Sequence, residues 1–265
     1  MLGRTIFAGD SAVGEDRCLR RRSIAVVRSQ PCPRHRRNGS GSRRRIIASV
    51  AQQPIHIAVS GLIGAGKSTL VRGLACVSGG SAFPERIETN PYFDDFYRDP
   101  RGVAFKHLAF FFEQSLADHG AARRTPGISV QERVIQEHVE IFGAEFFARG
   151  YLSADDWSLA QRLAHTCELL VGPPDLLLHI DISVNEAFER LRERARDAET
   201  TIEDRYLEAL DQRYPPFLAS WCESPILRVD ASEYDFRAES SLEAIWRLVA
   251  ARLGEVDGEH HHTAR

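Results

Sequence analysis

The feature that most constrains this chain is a glycine-rich stretch between an apolar run and a helical pattern. In "IHIAVSGLIGAGKSTLVRGLA", alternating β-branched residues predict a strand over 55–60, and the end of the stretch predicts a helix from about Lys67 to Val77. The spacing G-x-x-x-x-G-K-[ST] is met by Gly61, Gly66, Lys67 and Ser68. Backbone N–H groups in such a loop wrap phosphate oxygens at a helix N-terminus. The stretch therefore predicts a nucleotide-binding loop.

Two classes of nucleotide-binding protein are disfavoured by residues outside this loop. A guanine-specific GTPase needs an N-K-x-D motif, and neither lysine of the chain, Lys67 or Lys106, lies in one. A motor ATPase commonly has an apolar strand ending in Asp-Glu, whereas "LLLHIDIS" continues from Asp181 to Ile182. Small phosphotransferases that use a nucleoside triphosphate remain. The residues of the loop that are predicted to bind this nucleotide are Gly61, Leu62, Ile63, Gly64, Ala65, Gly66, Lys67, Ser68 and Thr69.

Helix and strand patterns alternate along the rest of the chain. This alternation predicts an α/β fold of three layers, in which a five-stranded parallel sheet carries helices on both faces. The later strands are predicted at 81–85, 126–132, 174–183 and 225–230. Ser153 followed by Asp156 predicts a capping box at a helix start, and a final helix is predicted from about Ser241 to Leu253.

Charge divides the chain near residue 53. The first 53 residues carry 12 arginines and 3 acidic residues, a balance of +9, whereas the remainder has a net charge of −12. Residues 1–49 show no sustained apolar period and are predicted to be a disordered, Arg-rich extension. Such a segment is typical of an organelle transit peptide or of a basic arm for nucleic acid. A third interpretation is that translation begins at Val50, because the sole methionine is Met1 and "VAQQPIHIAVSG" is typical of a domain start.

The composition limits which binding partners and which cellular compartment are expected. An acidic body is repelled by phosphates, which disfavours a nucleic acid polymer as partner. No apolar run approaches the roughly 18 residues that cross a bilayer, so no membrane partner is expected. Five widely spaced cysteines without a CxxC pair favour a reducing compartment. A cytoplasmic protein is expected, or a mitochondrial or plastid one if residues 1–49 are a transit peptide. The domain is predicted over 50–254 and a disordered tail over 255–265.

Acidic residues stand at the predicted strand ends, where ligands of parallel sheets bind. They are Glu85, Glu132, Asp181 and Asp230. Acidic residues are also common where strands run out into solvent. For Glu85, a functional interpretation is favoured by its position 18 residues after Lys67, on the next predicted strand, where its carboxylate can face a terminal phosphate. For Glu132, a functional interpretation is favoured by the adjacent Arg133, because the two residues supply an acid for Mg²⁺ and a positive charge at one strand end.

An arginine run follows the fourth predicted strand. "RLRERAR" places Arg190, Arg192, Arg194 and Arg196 close together after an amphipathic helix. One interpretation is a solvated helix face. The other is a mobile lid whose guanidinium groups close on the phosphates and stabilise charge during transfer. Spacing alone favours neither.

In this order the motifs resemble those of the deoxyribonucleoside kinase family, which phosphorylates the 5′-hydroxyl of deoxynucleosides with ATP. "GLIGAGKST" resembles the phosphate loop, "PERIETNPYFDDFYRDP" the segment with the catalytic glutamate, "QERVIQEHVEIFG" the D/E-R-S block, "RARDAE" the lid and "RVDASEYDF" the adenine-side loop. The resemblance spans residues 55–236. It implies a P-loop kinase fold with an Arg-rich lid, a small-molecule deoxynucleoside as acceptor, ATP, Mg²⁺ and a homodimer.

The resemblance also implies roles for individual residues. Glu85 is implied as the general base, with Arg133 and Lys67 completing the catalytic set, and Mg²⁺ is implied on Ser68 and Glu132. The implied contacts to phosphates are Arg194 and Arg196, and those to the deoxynucleoside are Glu85, Tyr97, Leu108, Arg133, His138 and Glu199. The neighbouring Phe93 and Phe96 are interpreted as packing residues.

Several positions depart from the family pattern. The proline after the base glutamate is Arg86, and the serine of D/E-R-S is Val134. A base-contact acid of the family is His138 here. The family's base-reading Gln and Arg have no counterpart in either register, which gives Leu108 with Ser115 or His107 with Gln114. The sequence therefore predicts the transfer chemistry of the family with an altered or relaxed base preference.

Two other functions stay open from sequence. A nucleoside-monophosphate kinase would need further arginines for the phosphate of its acceptor, and Glu85 would repel that phosphate. A nucleotide-binding module without transfer is favoured by the departures and disfavoured by intact Lys67, Glu85, Arg133 and Glu199. A homodimer is expected through the Phe-rich helix and the "EIFGAEFFARG" helix, although burial in the monomer core explains the same aromatics equally well.

Overall fold

The computed structural model of the protein describes residues 54–194 and 204–262, which are built around one parallel sheet. The five strands of this part run in the order β2-β3-β1-β4-β5, and every neighbouring pair is parallel. The predicted five-stranded parallel sheet is confirmed. The strands are β1 (Ile55–Gly61), β2 (Ser81–Phe83), β3 (Ile128–Glu132), β4 (Leu176–Asp181) and β5 (Ile226–Asp230).

Helices connect these strands. They are α1 (Lys67–Ser78), α2 (Phe93–Arg98), α3 (Ala104–Ala122), α5 (Ala154–Val171), α6 (Val184–Arg194), α7 (Asp204–Asp211), α8 (Tyr214–Ser220) and α9 (Glu239–His262). The helix after β3, here α4, is composite. It begins as an α-helix over Ile135–Glu137, widens to a π-helix over His138–Gly143 and ends as an α-helix over Ala144–Ala148. Such widened turns are frequent at functional sites.

Side chains of the strands alternate between two apolar layers. On β1, Ile57 and Val59 pack into a core shared with α1 and α9, whereas Ala58 packs into a core shared with α7 and α8. On β4, Leu176, Leu177 and Leu178 are fully buried. A parallel strand covered on both faces is expected to be apolar throughout, as this one is. The fold therefore has three layers, helix, sheet and helix.

Strand register brings the carboxyl ends of the central strands together. Val59 lies beside Glu132, and Gly61 lies beside Ile180. β1 connects to β2 on one side, while β4 lies on its other side. The chain therefore leaves β1 at a switch point of the sheet, where parallel sheets bind their ligands.

The helix ends show one agreement with the sequence and one difference. The predicted capping box is present, since Asp156 N–H donates to Ser153 Oγ at 3.1 Å and Ser153 N–H donates to the Asp156 carboxylate at 3.3 Å. α9 ends at His262 rather than near Leu253. Glycines in "GEVDGEHHH" disfavour a helix by only about 1 kcal/mol each, and no proline stops it. The predicted extension 1–49 lies outside the described residues.

Within residues 54–194 and 204–262, no helix has the length and apolarity that crossing a membrane requires.

Candidate active site

The glycine loop joins β1 to α1. Gly64 and Gly66 have φ values of +86° and +91°, a region that residues with a Cβ rarely adopt. α1 begins at Lys67, whose ammonium donates to the carbonyl oxygens of Gly61 at 2.9 Å and of Leu62 at 2.7 Å. Lys67 is buried, so a cation stands at the base of the loop that is predicted to hold phosphates.

Gly64→Ala is expected to destabilise the protein and to raise the KM for ATP. A Cβ at Gly64 would lie 2.5 Å from the carbonyl oxygen of Ala187 in α6. Gly79→Ala is the matched control, because Gly79 also has a positive φ (+70°) but its added Cβ would meet no atom of the described residues within 4 Å. Urea unfolding should show a loss of about 1 kcal/mol for Gly79→Ala and a larger loss for Gly64→Ala. Equal losses would contradict the close contact.

Arg133 is buried directly beneath the loop. It follows β3 with a φ of +66°, and its N–H donates to Val59 O at 2.9 Å. Its guanidinium donates to Gly61 O at 3.2 Å and lies 3.5 Å from the Glu85 carboxylate. Burial by itself would lower the pKa of Arg133, but the combined attraction of Glu137 and the other acidic groups around it outweighs burial and raises this pKa above its ordinary value. A strained backbone thus holds a permanent cation beside Glu85.

Glu85 lies two residues after β2, and its side chain is 12% exposed. Its backbone N–H donates to the Glu132 carboxylate at 3.1 Å. Burial raises the pKa of Glu85 to about 7, while Arg133 opposes this rise and Glu132 adds to it. The same surroundings, burial first and Arg133 second, lower the pKa of Lys67 to about 8. A carboxylate with a pKa near neutrality can take up a proton during a reaction.

Two residues that the sequence did not single out hold Arg133 in place. Glu137 is fully buried, and its Oε1 accepts from the Arg133 guanidinium. Tyr214 Oη, from α8, lies 2.8 Å from both Glu137 Oε1 and Gly61 O. The four-residue spacing of Arg133 and Glu137 was the available sequence signal for this pair. Nothing in the sequence connects Tyr214, 81 residues further on, to Arg133.

A cavity, here the acceptor cavity, opens between the glycine loop and helices α2, α3 and α4. Its charged end contains Lys67, Ser68, Glu85, Glu132 and Arg133. The remaining described lining consists largely of rings and apolar side chains: Ile63, Gly64, Ile87, Phe93, Phe96, Tyr97, His107, Leu108, Phe111, His138, Phe142, Phe146, Arg194 and Tyr206. The cavity therefore has a charged end and an aromatic part.

The structure places several of the predicted acceptor contacts in this cavity. Tyr97, Leu108 and His138 line it together with Glu85 and Arg133. Arg196 and Glu199 lie outside the described residues.

Phe93 and Phe96 have a second role besides packing. Both line the acceptor cavity, and Phe96 stacks on His107 with ring centroids 4.2 Å apart. Their interpretation as packing residues was therefore incomplete. Phe93, Phe96 and Tyr97 are three and four residues apart, so all three lie on one side of α2. This spacing was the signal in the sequence that they form one surface.

Two pairs of residues align with the family's base-reading Gln and Arg: Leu108 with Ser115, and His107 with Gln114. In each pair the second, polar residue forms hydrogen bonds within the fold. Gln114 Oε1 accepts from Arg86 N–H at 2.7 Å, and Ser115 Oγ accepts from a β3 glutamine at 3.2 Å. Neither Gln114 nor Ser115 is among the residues that line the acceptor cavity, whereas His107 and Leu108 are. Each register thus contributes one residue to the cavity and one to the packing of α3.

A second cavity, here the donor cavity, lies on the α6 side of the glycine loop. It is lined by Gly64, Gly66, Thr69, Glu186, Arg190, Glu193, Arg194 and, from the loop after β5, by Ala231, Ser232, Tyr234, Asp235, Phe236 and Arg237. Arg190 donates to Ala65 O and to Ala231 O, both at 3.2 Å, and so ties this loop to α6. Arg194 lines both cavities. Within the arginine run, Arg190 therefore supports the fold, and Arg194 borders both cavities.

The residues predicted for Mg²⁺ fit that ion. Ser68 and Glu132 both line the acceptor cavity at its charged end. A hydroxyl and a carboxylate oxygen are hard ligands, which Mg²⁺ combines with phosphate oxygens and waters. In the part of the chain that the structure describes, no group of three or more His, Cys, Asp or Glu could hold a metal. A site completed by substrate phosphates does not need one.

The other two strand-end acids have structural partners. Asp181 pairs with Arg228 of β5 at 2.5 Å. Asp230 accepts from the backbone N–H of Ser232 at 2.8 Å and from its hydroxyl at 2.7 Å. Neither acid lines the acceptor or the donor cavity.

Known proteins resemble this chain in sequence and in fold. The family model "Deoxynucleoside kinase" matches residues 57–252. Deoxyadenosine kinase of Dictyostelium discoideum is 31% identical over 68% of this chain and 73% of its own length. Deoxyguanosine kinase of Lactobacillus johnsonii is 30% identical over 76% and 93%. The structure of deoxyadenosine kinase from M. mycoides with bound dATP superposes with a TM-score of 0.64 and 26% identity, covering 74% of this chain and 98% of that one. The chain belongs to the deoxynucleoside kinase family.

Proposed function

We propose that this protein transfers the γ-phosphoryl group of ATP to the 5′-hydroxyl of a deoxyribonucleoside and releases the 5′-monophosphate. The observation that carries the proposal is Glu85, a carboxylate with a pKa of about 7 beside Arg133, at the charged end of an aromatic cavity that adjoins the glycine loop. The relatives named above are kinases of deoxyadenosine and deoxyguanosine, which supports a deoxynucleoside as acceptor.

Glu85 acts as the general base in this reaction. It accepts the proton of the 5′-hydroxyl while the bond from that oxygen to the γ-phosphorus forms and the bond to the β-phosphate oxygen breaks. Such assistance contributes about 10²–10⁴-fold to the rate. Arg133, 3.5 Å from Glu85, keeps the carboxylate oriented and attracts the reacting oxygen as it becomes negative.

The phosphates are held at the loop. Lys67 and the backbone of residues 61–69 bind them, and Arg194 reaches them from α6, where it borders both cavities. Ser68 and Glu132 would hold Mg²⁺, which when bound neutralises phosphate charge. The contacts of Arg196 to phosphate and of Glu199 to the sugar stay predictions from the sequence, because both residues lie outside the described part of the chain.

One assay tests this function against its alternatives. ADP release is followed with ATP and Mg²⁺ in three reactions, containing mixed deoxynucleosides, mixed deoxynucleoside monophosphates, or no acceptor. ADP above the acceptor-free rate with deoxynucleosides alone supports the proposal. Release with monophosphates alone would identify a monophosphate kinase, and ATP binding without release in any reaction would identify a non-catalytic nucleotide-binding module.

We also propose that the protein is a homodimer. On α5, Leu159, Leu163 and Leu170 share one helix face and are 38%, 42% and 78% exposed. Phe146 of α4 is 1% exposed within its own chain, so the aromatics of that helix partly serve the monomer core. An exposed apolar stripe is stabilised when a second copy covers it. Light scattering should give twice the mass of one chain, and Leu163→Glu should reduce it to one; a monomeric wild type would contradict the proposal.

A further inference from the structure

The segment that carries Glu85 lies just beyond the sheet. β2 is an edge strand of three residues, and its last pair with β3 joins Phe83 to Gln131. Glu85 and Arg86 follow after this pair, so neither belongs to the strand. The carboxylate that serves as general base therefore needs contacts outside the sheet to keep its place. This step rests on the function proposed above.

Gln114 of α3 binds both polar groups of the Arg86 backbone. Its Oε1 accepts from Arg86 N–H at 2.7 Å, and its Nε2 donates to Arg86 O at 3.4 Å. The hydroxyl of Thr89 donates to the same carbonyl oxygen at 2.7 Å. Gln114 is 4% exposed, so water competes little for these hydrogen bonds. The backbone next to Glu85 is therefore fixed to α3.

Asp118, one helical turn after Gln114, binds the side chain of Arg86. One guanidinium nitrogen of Arg86 donates to the two carboxylate oxygens of Asp118, at 2.9 Å and 3.1 Å. The side chain of Asp118 is 8% exposed and that of Arg86 is 23% exposed. Burial raises the pKa of Asp118, and the hydrogen bond and charge of Arg86 oppose this rise. Charge-assisted hydrogen bonds shielded in this way are stronger than those of an exposed pair.

The direction of the Arg86 side chain connects two walls of the site. Glu85 and Ile87 line the acceptor cavity, whereas Arg86 between them is not among its described lining residues. Its side chain reaches α3 instead. The same helix supplies Leu108 and Phe111 to the cavity. The contacts to Arg86 therefore fix the distance between the general base and the helix that forms the cavity wall.

Arg86 stands where the family pattern has a proline. A proline fixes its own φ at about −65° and has no N–H to donate. Arg86 has a φ of −106°, and its N–H is bound by Gln114. In this chain, side chains of α3 therefore constrain the backbone next to Glu85, where a proline would do so through its ring.

We propose that Gln114 and Asp118 are positioning residues for the transfer reaction. Acting through Arg86, they hold the Glu85 carboxylate beside Arg133 at the charged end of the acceptor cavity. Without them, this segment separates from α3 and water reaches Glu85. Because the base must lie within hydrogen-bonding reach of the acceptor hydroxyl, such a displacement lowers kcat more than it changes ATP binding.

Asp118→Ala and Gln114→Ala should each lower kcat about tenfold or more, while the KM for ATP stays within about twofold of the wild type. Asp95→Ala is the matched control. Asp95 pairs with Arg98 at 2.8 Å in α2, but these side chains are 55% and 76% exposed, so its loss should leave kcat unchanged. Steady-state kinetics with ATP and the preferred deoxynucleoside measure both quantities. Wild-type kcat in both α3 variants would contradict the positioning role.

The pH profile distinguishes positioning from a general loss of stability. Burial is the main cause that raises the pKa of Glu85 to about 7. Within the described residues, the charges that act on this pKa are those of Arg133, Glu132, Lys67 and Glu137. Asp118 is not one of them, so its removal changes this pKa only if Glu85 moves or becomes hydrated. In Asp118→Ala the acid limb, the fall of kcat/KM on the acid side, should shift to lower pH, toward the ordinary value of glutamate.

An exchange of charges tests whether Asp118 acts through Arg86. Asp118→Arg places two cations together and should lower kcat at least as much as Asp118→Ala. Arg86→Asp combined with Asp118→Arg restores an ion pair and should have a kcat about threefold or more above that of Asp118→Arg alone. A double variant no more active than Asp118→Arg would overturn the assignment of this pair.

The remaining outcomes separate the positioning role from the proposed function. If Asp118→Ala does not fold by circular dichroism, Asp118→Asn, which keeps the volume and one acceptor, decides by the same readouts. Less active enzyme with the wild-type acid limb would show a role in stability alone and overturn the proposal. If the wild type phosphorylates no deoxynucleoside, the proposed function is wrong, and the positioning role with it. If the wild type is active and the variants keep its kcat and pH profile, the proposed function stands and the assignment of Gln114 and Asp118 is wrong.

Discussion

Glu85→Gln is expected to lower kcat by at least about 100-fold while ATP binding stays unchanged. The amide has the size of the carboxylate but cannot take the proton of the acceptor hydroxyl. Because Glu85 lies beside Arg133 and Glu132 rather than against the glycine loop itself, the loop should keep its affinity for ATP. Steady-state turnover and fluorescent-nucleotide titration measure the two quantities. Near-normal turnover would remove Glu85 from the role of base.

The same residue predicts a pH dependence. Burial raises the pKa of Glu85 to about 7, so the carboxylate becomes protonated, and inactive as a base, when the pH falls through 7. The kcat/KM of the wild type should therefore fall on the acid side with an apparent pKa near 7, and Glu85→Gln should lack this limb. Glu88→Gln, three residues on and exposed, is the matched control and should keep both turnover and profile. An identical acid limb in Glu85→Gln would assign it to another group.

Glu137→Ala is expected to destabilise the protein by about 3–5 kcal/mol. Glu137 is fully buried and neutralises Arg133, which is 3% exposed, so its loss leaves a buried cation short of its main partner. Urea unfolding followed by circular dichroism measures the loss. If Glu137→Ala does not fold, Glu137→Gln keeps the volume and should show a smaller loss with the same sign.

Glu243→Ala is the control for this prediction. Glu243 forms an ion pair with Arg247 at 3.7 Å with the same four-residue spacing, but these side chains are 33% and 76% exposed. Exposed pairs contribute about 0–1 kcal/mol because water screens them. A loss for Glu137→Ala no larger than that for Glu243→Ala would show that Arg133 does not depend on Glu137.

Local signals in the sequence were sufficient where chemistry depends on consecutive residues. The glycine loop, the capping box of Ser153 and Asp156, and the alternation of strands and helices all follow from spacing along the chain, because hydrogen bonding and side-chain direction repeat with short periods. The end of α9 was less predictable, since two glycines weaken a helix without stopping it.

Chemistry that depends on packing between distant segments was not readable in this way. The aromatic part of the acceptor cavity draws on α2, α3 and α4, and the same phenylalanines could equally have filled a core. Their spacing showed a shared helix side but not what that side faces. The contact of Tyr214 with Glu137 and Gly61 joins residues more than 70 positions apart, for which the chain carries no local signal.

The sequence by itself determined the loop, the parallel sheet and the presence of Glu85, Glu132 and Arg133 at strand ends, because parallel strands place their carboxyl ends at one edge. Only the tertiary structure decided how these groups act. Burial of Glu85, opposed by Arg133 and supported by Glu132, raises the pKa of Glu85 to about 7, and burial of His138, together with repulsion from Arg133 and Lys67, lowers the pKa of His138 well below its ordinary value. The physical reason is that desolvation and through-space charge depend on the whole packed surroundings, which no stretch of sequence contains.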